Sequence, residues 1–115
     1  MNRAELGQFG EDVAVRFLQA HGWTVVERNW RCRSGEIDII ARDGGLFVFC
    51  EVKARSGAGF GDPLEAVTRA KLQRLRELVG HWLGAYPGPR QVRIDAIAVI
   101  AGDDQLLLRH VRGIA

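Results

Sequence analysis

Asp38, in the run Gly35-Glu36-Ile37-Asp38-Ile39-Ile40, and Glu51, in Phe49-Cys50-Glu51-Val52-Lys53, are the residues whose type and spacing point most directly to chemistry. Both runs are rich in branched or aromatic residues, and Asp43-Gly44-Gly45 between them is a hairpin signal. With Gly44 and Gly45 as the central turn residues, Asp43 faces Leu46, and counting outward sets Asp38 opposite Glu51 and Glu36 opposite Lys53. Cross-strand neighbours have Cβ atoms roughly 5 Å apart, where like charges repel unless something between them compensates. A hard divalent cation compensates, because Mg²⁺ sites are built from carboxylates with carbonyl and water oxygens. Strand alternation turns Lys53 to the same face as Glu51. Such a set fits phosphodiester hydrolysis: the cation activates water and offsets charge on the phosphoryl oxygens, while Lys53 orients the water or steadies the transition state. The competing reading is a solvated strand face on which Lys53 pairs with Glu36 for well under ~1 kcal/mol. Glu36 is the substitute ligand if the hairpin count slips.

The elements that must position these groups are legible from spacing. Leu6, Phe9, Val13 and Phe17 recur at helical intervals from about Arg3 to Ala20, with Gly22 just past the end. Gly7 and Gly10 inside that helix each cost about 1 kcal/mol relative to alanine, which close packing or close approach to a ligand would justify. Glu11 lies at the edge of the apolar stripe and leans toward whatever the helix packs on. A strand is expected over Trp23 to Trp30, then the hairpin, whose second arm runs to Arg55. Ser56-Gly57-Ala58-Gly59-Phe60-Gly61 reads as a flexible loop without the Gly-Lys-Ser/Thr ending of a P-loop. Asp62 as N-cap, Pro63 at the first helical position and Glu65 at the capping-box position predict a second helix running to about Leu83. Lys71 falls on its apolar stripe, where it either snorkels or reaches the carboxylates. Tyr86-Pro87-Gly88-Pro89 ends the helix. Strands follow over Val92 to Ile100, where Asp95 turns to solvent or pairs near Arg93, and over Gln105 to Val111. The order αβββαββ predicts an α/β fold with a mixed central sheet of about five strands flanked by helices.

The chain has 115 residues and a net charge of +2, the size of one domain (residues 1–115) with a mild basic excess that permits a polyanionic partner without demanding one. Cys32 and Cys50 have no zinc-like spacing and read as free thiols, and His21, His81 and His110, scattered without ligand spacing, read as structural. No apolar run approaches the roughly 20 residues of a membrane span, so a soluble, cytoplasmic protein is expected.

Gly35-Glu36-Ile37-Asp38 and Glu51-Val52-Lys53, after a helix carrying Glu11, resemble the PD-(D/E)XK nuclease superfamily, in an organisation similar to archaeal Holliday-junction resolvases. Over nearly the whole length the chain resembles the YraN family of small bacterial proteins, through Gly10-Glu11, Asn29-Trp30-Arg31, Gly35 to Ala41, Phe49 to Arg55, Gly61 to Val67, Lys71 and Arg93-Ile94-Asp95. The resemblance implies a restriction-endonuclease-like fold and a Mg²⁺ or Mn²⁺ site at Asp38, Glu51 and the carbonyl of Val52, with Glu11 nearby and Lys53 as the catalytic lysine. Ile37 stands where the superfamily's name has proline, which leaves the metal chemistry untouched. For the YraN family the resemblance implies the fold more firmly than an activity.

Arg28, Arg31, Arg33, Arg42 and Arg55 surround the hairpin, interleaved with Trp30. Of the basic residues, Arg31, Arg33, Arg55 and Lys71 are the candidate nucleic-acid contacts. No base-reading motif is present, so backbone and shape recognition is expected. The leading expectation is a metal-dependent nuclease acting on DNA, with structured or branched DNA among its substrates. So small a domain covers little of a branched substrate, which leaves room for a homodimer. The alternative is a non-catalytic nucleic-acid-binding or protein-interaction module that keeps the nuclease fold. A third reading is a hydrolase of small phosphate esters.

Overall fold

A computed structural model describes residues 1–57, 62–86 and 90–115. Residues 58–61 of the glycine-rich loop and 87–89 of the helix-ending run lie outside the described residues. The order is α1 (Arg3–Ala20), β1 (Thr24–Cys32), β2 (Gly35–Asp43), β3 (Leu46–Ser56), a 3-10 turn (Pro63–Ala66), α2 (Arg69–Leu83), β4 (Gln91–Ala101) and β5 (Leu106–Val111). This is the expected α/β order. The five strands lie in sequence order across one sheet. Neighbours are antiparallel except β3 and β4, which run parallel.

Two apolar cores cover the two faces of the sheet. Ala14, Val15 and Leu18 of α1 pack with Ile39, Ala41, Val48 and Cys50 on one side. Leu75, Leu78, Val79 and Trp82 of α2 pack with Ile37, Ile40, Phe47 and Phe49 on the other. Gly10 explains how closely α1 approaches: a Cβ there would stand 2.6 Å from the Ala54 Cβ on β3. No such contact constrains Gly7, around which a Cβ meets nothing within 4 Å. Cys32 and Cys50 are free thiols.

The hairpin count holds from Asp43↔Leu46 through Ile39↔Cys50, where the ladder between β2 and β3 stops. Alternation along β2 slips at the same place. Ile37 and Ile39, two residues apart, would share a face of a regular strand, yet they pack in opposite cores. Asp38 sits between them, where the sheet opens.

One expectation is corrected and two open alternatives are decided. Asp62 and Pro63 start a 3-10 turn rather than α2; that turn ends at Val67, whose ψ of 93° leaves the helical region. The helix restarts at Thr68, whose side chain accepts from the Lys71 N–H. Lys53 pairs with Glu51, while Glu36 pairs with Arg31. Of the two alternatives for Asp95, pairing near Arg93 is the one found: it is fully buried, bonded by Arg93 Nε and Nη2, 2.7 Å from His110 Nε2 and accepting from the Gly113 N–H. Burial opposes its ionisation, but these partners outweigh that and hold its carboxyl at about 2. His110, placed between the rings of Phe17 and Trp23, is thus part of a buried clasp that fastens the C-terminal residues to β4.

Candidate functional site

The opened end of the sheet gathers carboxylates from three elements. Glu11 of α1 and Glu36 and Asp38 of β2 each offer an oxygen within 4.8 Å of the others. Asp38 Oδ2 accepts from the Val52 N–H at 2.8 Å, which fixes its carboxylate against β3 just beyond the last paired residues. Burial, then the Glu51 charge, raises the Asp38 carboxyl to about 7, even though the Val52 hydrogen bond favours its ionised form. Burial raises Glu11 as well, against the hydrogen bond from Asn29 and the charge of Arg28.

Glu11 Oε1 is buried and has no hydrogen-bond partner, with Arg28 Nη2 3.7 Å away. A buried carboxylate oxygen without a hydrogen bond costs about 1–3 kcal/mol, which a guanidinium at this range offsets only in part and a bound cation or proton would remove. Asn29 is held at φ 51°, a left-handed conformation that Asn tolerates better than most residues. It stands in β1 between Arg28, opposite Ile39, and Trp30, opposite Ile37. The strained backbone therefore lies alongside Asp38, and its side chain braces Glu11.

Glu51, only 6% exposed, forms the second half of the site. Its Oε1 is 3.1 Å from Lys71 Nζ and 3.4 Å from Lys53 Nζ. Burial and the adjoining Lys71 push the Lys53 ammonium below its ordinary range, although Glu51 opposes this. Burial also acts against Lys71, but its contacts with Lys53 and Glu51 prevail and it moves up. Lys53 is therefore the amine more readily neutralised, and Lys71 the more firmly charged. Thr68 accounts for the latter's placement, because capping α2 there fixes the backbone of Lys71 in the first turn.

Glu36, Asp38, Glu51, Lys71 and Arg74 line one cleft of about 240 Å³, floored by Leu78. Of the residues singled out from sequence, Asp38, Glu51 and Lys71 line it, Lys53 adjoins it through Glu51, and Glu11 is joined through Asp38. Arg31 and Arg33 line a neighbouring, wider hollow at the β1–β2 turn. Arg55 lies farther along β3, beside Ile100 of β4. Sequence reasoning missed Asn29 as a brace and Arg74 as a wall of the cleft, and held Glu36 only in reserve. An Asn inside a β-rich run was the available signal for the first, since strands disfavour it.

The fold and cleft define a mixed α/β sheet protein whose polar site is built from four carboxylates and two lysines at the open junction of β2 and β3. The chain belongs to the family described as Uncharacterised protein family UPF0102, whose model matches residues 10–99 and which is the YraN family anticipated above. Its relatives include a UPF0102 protein of Kineococcus radiotolerans, 53% identical over 96% of this chain and 93% of the relative. A Beutenbergia cavernae protein is 52% identical over 95% and 94%, and one from Streptomyces griseus 48% identical over 98% of each.

Proposed function

We propose that this protein is a divalent-cation-dependent hydrolase of nucleic-acid phosphodiesters, of the PD-(D/E)XK type. The observation that carries the reading is the unsatisfied buried oxygen of Glu11 facing a cluster that also contains Asp38 and Glu36. The donors are all hard oxygens, which suits Mg²⁺ or Mn²⁺ over softer metals. Asp38 and Glu11 would hold the ion, with Glu36 and Glu51 on its flanks and Val52, next to Glu51 on β3, as the source of a carbonyl ligand. The bound ion supplies Lewis acidity toward a phosphoryl oxygen and a lowered pKa for water. Asp38 is fixed by the Val52 N–H and needs little reorganisation to bind. Lys53, the amine more easily deprotonated, exchanges a proton with the attacking water or the leaving oxygen. Lys71 retains its charge and holds a phosphoryl oxygen.

The test is incubation of purified protein with labelled linear, flapped and four-way DNA in Mg²⁺ or Mn²⁺, beside Asp38→Asn and Lys53→Ala. Each substitution should reduce cleavage by about 10²-fold or more. Cleavage that persists unchanged in both variants refutes the assignment. Calorimetric titration with Mn²⁺ should show binding to wild type that Glu51→Gln weakens.

One observation favours a second reading. Glu51 Oε1 already faces two ammonium groups, an arrangement that closes a carboxylate without any metal. A non-catalytic nucleic-acid-binding module retaining the nuclease fold would show salt-sensitive DNA binding, no Mn²⁺ heat and no cutting.

A further inference from the structure

The sheet has two edges, and they are built differently. β1, at one end of the strand order, is interrupted by a register shift between Val25 and Glu27 and by Asn29 at φ 51°, and it carries Glu27, Arg28 and Arg31. Irregularity and charge of this kind keep a further strand from adding to an edge. β5, at the other end, pairs with β4 from Ala101↔Leu106 to Ala96↔Val111 without a shift. Its exposed charge, Arg109, is paired with Asp62, while Leu106 and Leu107 are 50% and 55% exposed.

Hydrogen bonds at the ends of β4 fix which backbone groups of β5 face outward. The Gly57 N–H donates to the Ala101 carbonyl, so Ala101 faces β3, and the alternate residues Ile100, Ala98 and Ala96 face β5. Their partners Leu107, Arg109 and Val111 face back toward β4. The Gly102 N–H on the Gln105 carbonyl and the Ile114 N–H on the Ile94 carbonyl agree with this alternation. Leu106, Leu108 and His110 therefore turn their N–H and C=O groups away from β4, on the side where the sheet has no further strand. Among the side chains, Leu108 packs on the core beneath α1, and alternation puts Leu106 on that face too. Leu107 lies on the other face, where it borders a hollow of about 130 Å³ with Ile100.

Charge along this edge is directional. Asp103 and Asp104 precede β5, whereas Arg109 and Arg112 lie at its end and just past it. A strand that starts acidic and finishes basic complements a copy of itself running antiparallel and repels one running parallel.

We infer that β5 is the contact between two copies of this chain, paired antiparallel about a twofold axis at Leu107, so that the two five-stranded sheets become one. In that register Leu107 faces its own counterpart, Leu106 and Leu108 exchange hydrogen bonds with Leu108 and Leu106 of the second copy, and Asp104 lies diagonal to Arg112 of the second copy. A shift of two residues would set Leu106 against His110 instead and separate the leucines. Because the same strand is used by both copies, the assembly closes at two, whereas β5 on β1 would grow without end. None of this rests on the hydrolase reading.

The test is sedimentation velocity across a concentration series, together with thiol cross-linking in a Cys32→Ser background. Wild type should form a dimer and nothing larger, and Leu107→Lys should stay monomeric with an unchanged far-UV circular dichroism spectrum. Asp104→Lys and Arg112→Asp should each weaken the dimer about tenfold, and the two together should recover most of the loss. Leu107→Cys should cross-link to itself on treatment with diamide, since facing residues outside the hydrogen-bonded pairs have Cα atoms about 4.5 Å apart, within disulfide reach. Leu106→Cys, displaced from its counterpart by two residues, should not. The cross-link decides the matter even if Leu107→Lys fails to fold. A wild type that is monomeric throughout, growth beyond the dimer, a dimer that survives Leu107→Lys, or Leu106→Cys cross-linking as readily as Leu107→Cys each overturns the inference.

Discussion

Burial, charge and hydrogen bonding all act on Asp38, and its titration leaves a measurable trace. Its carboxyl is raised from an ordinary value of 3.8 to about 7 by burial and by Glu51. A raised folded-state value means the native protein holds that proton more tightly than the unfolded chain does. The stabilisation is therefore complete below about pH 4 and is lost as pH rises through about 7. Asp38→Asn should flatten this part of the stability curve and raise Tm at pH 8 by about 5 °C. Saturating Mn²⁺ should lift wild-type Tm at pH 8 and leave the variant unmoved. Differential scanning fluorimetry at pH 5 and 8 checks both, and a variant with the wild-type pH slope would contradict the assignment. Asp38 and Glu51 were readable as partners because turn chemistry and a period of two fix which residues oppose. The slip between Ile37 and Ile39 was not, since a strand read by strict alternation contains no sign of where it will twist open. Glu36 entered the cluster through that irregularity, although the register itself did not slip.

At the scale of elements, α1 and α2 bring their site residues by different means. Glu11 depends on a tight helix–strand contact, since Gly10 leaves room for only the Ala54 methyl. Gly10→Ala should destabilise by about 1–3 kcal/mol through overpacking, and Ala54→Gly in the same chain should recover much of that. Urea unfolding of the four proteins of this double-mutant cycle gives the coupling directly, and additive losses would show that the contact is not the cause. Gly10 was legible as an oddity in a helix but not its reason, which lies 44 residues away on β3. Lys71 depends instead on where its helix begins. Asp62-Pro63 and Thr68 are both sound start signals, and tertiary packing chose the second for α2 while spending the first on a 3-10 turn whose Asp62 pairs with Arg109. Local propensity names the possible caps; the distance α2 must travel to cover Phe47 and Phe49 decides between them.

Across the whole molecule, charges are divided between a site and a clasp. Asp95, which from sequence seemed a lone acid in an apolar strand, is ion-paired with Arg93, bonded to His110 and joins β4 to β5 and the residues beyond it. The sheet's αβββ and αββ order was legible because each element carries its own period and punctuation. The joining of β3 to β4 as parallel neighbours followed from the intervening helix, which such a connection requires. No helix among the described residues is long and apolar enough to cross a membrane.

The same order along the chain has a kinetic consequence. Glu11, Glu36, Asp38 and Glu51 all belong to α1 and the three antiparallel strands that follow, joined by short connections, whereas Lys71 arrives with α2 and a long-range parallel pairing. Sequence-local pairings form early and distant ones late. The acids are thus collected together with Arg28, Arg31 and Lys53, and α2 docks last, bringing Glu51 its second ammonium partner, Lys71. Val48→Ala in β3 should therefore mainly slow folding, with φ above about 0.5, while Leu78→Ala in α2 should mainly hasten unfolding, with φ below about 0.3. Stopped-flow chevrons of the two variants would reveal the reverse order if the helix, rather than the meander, comes first.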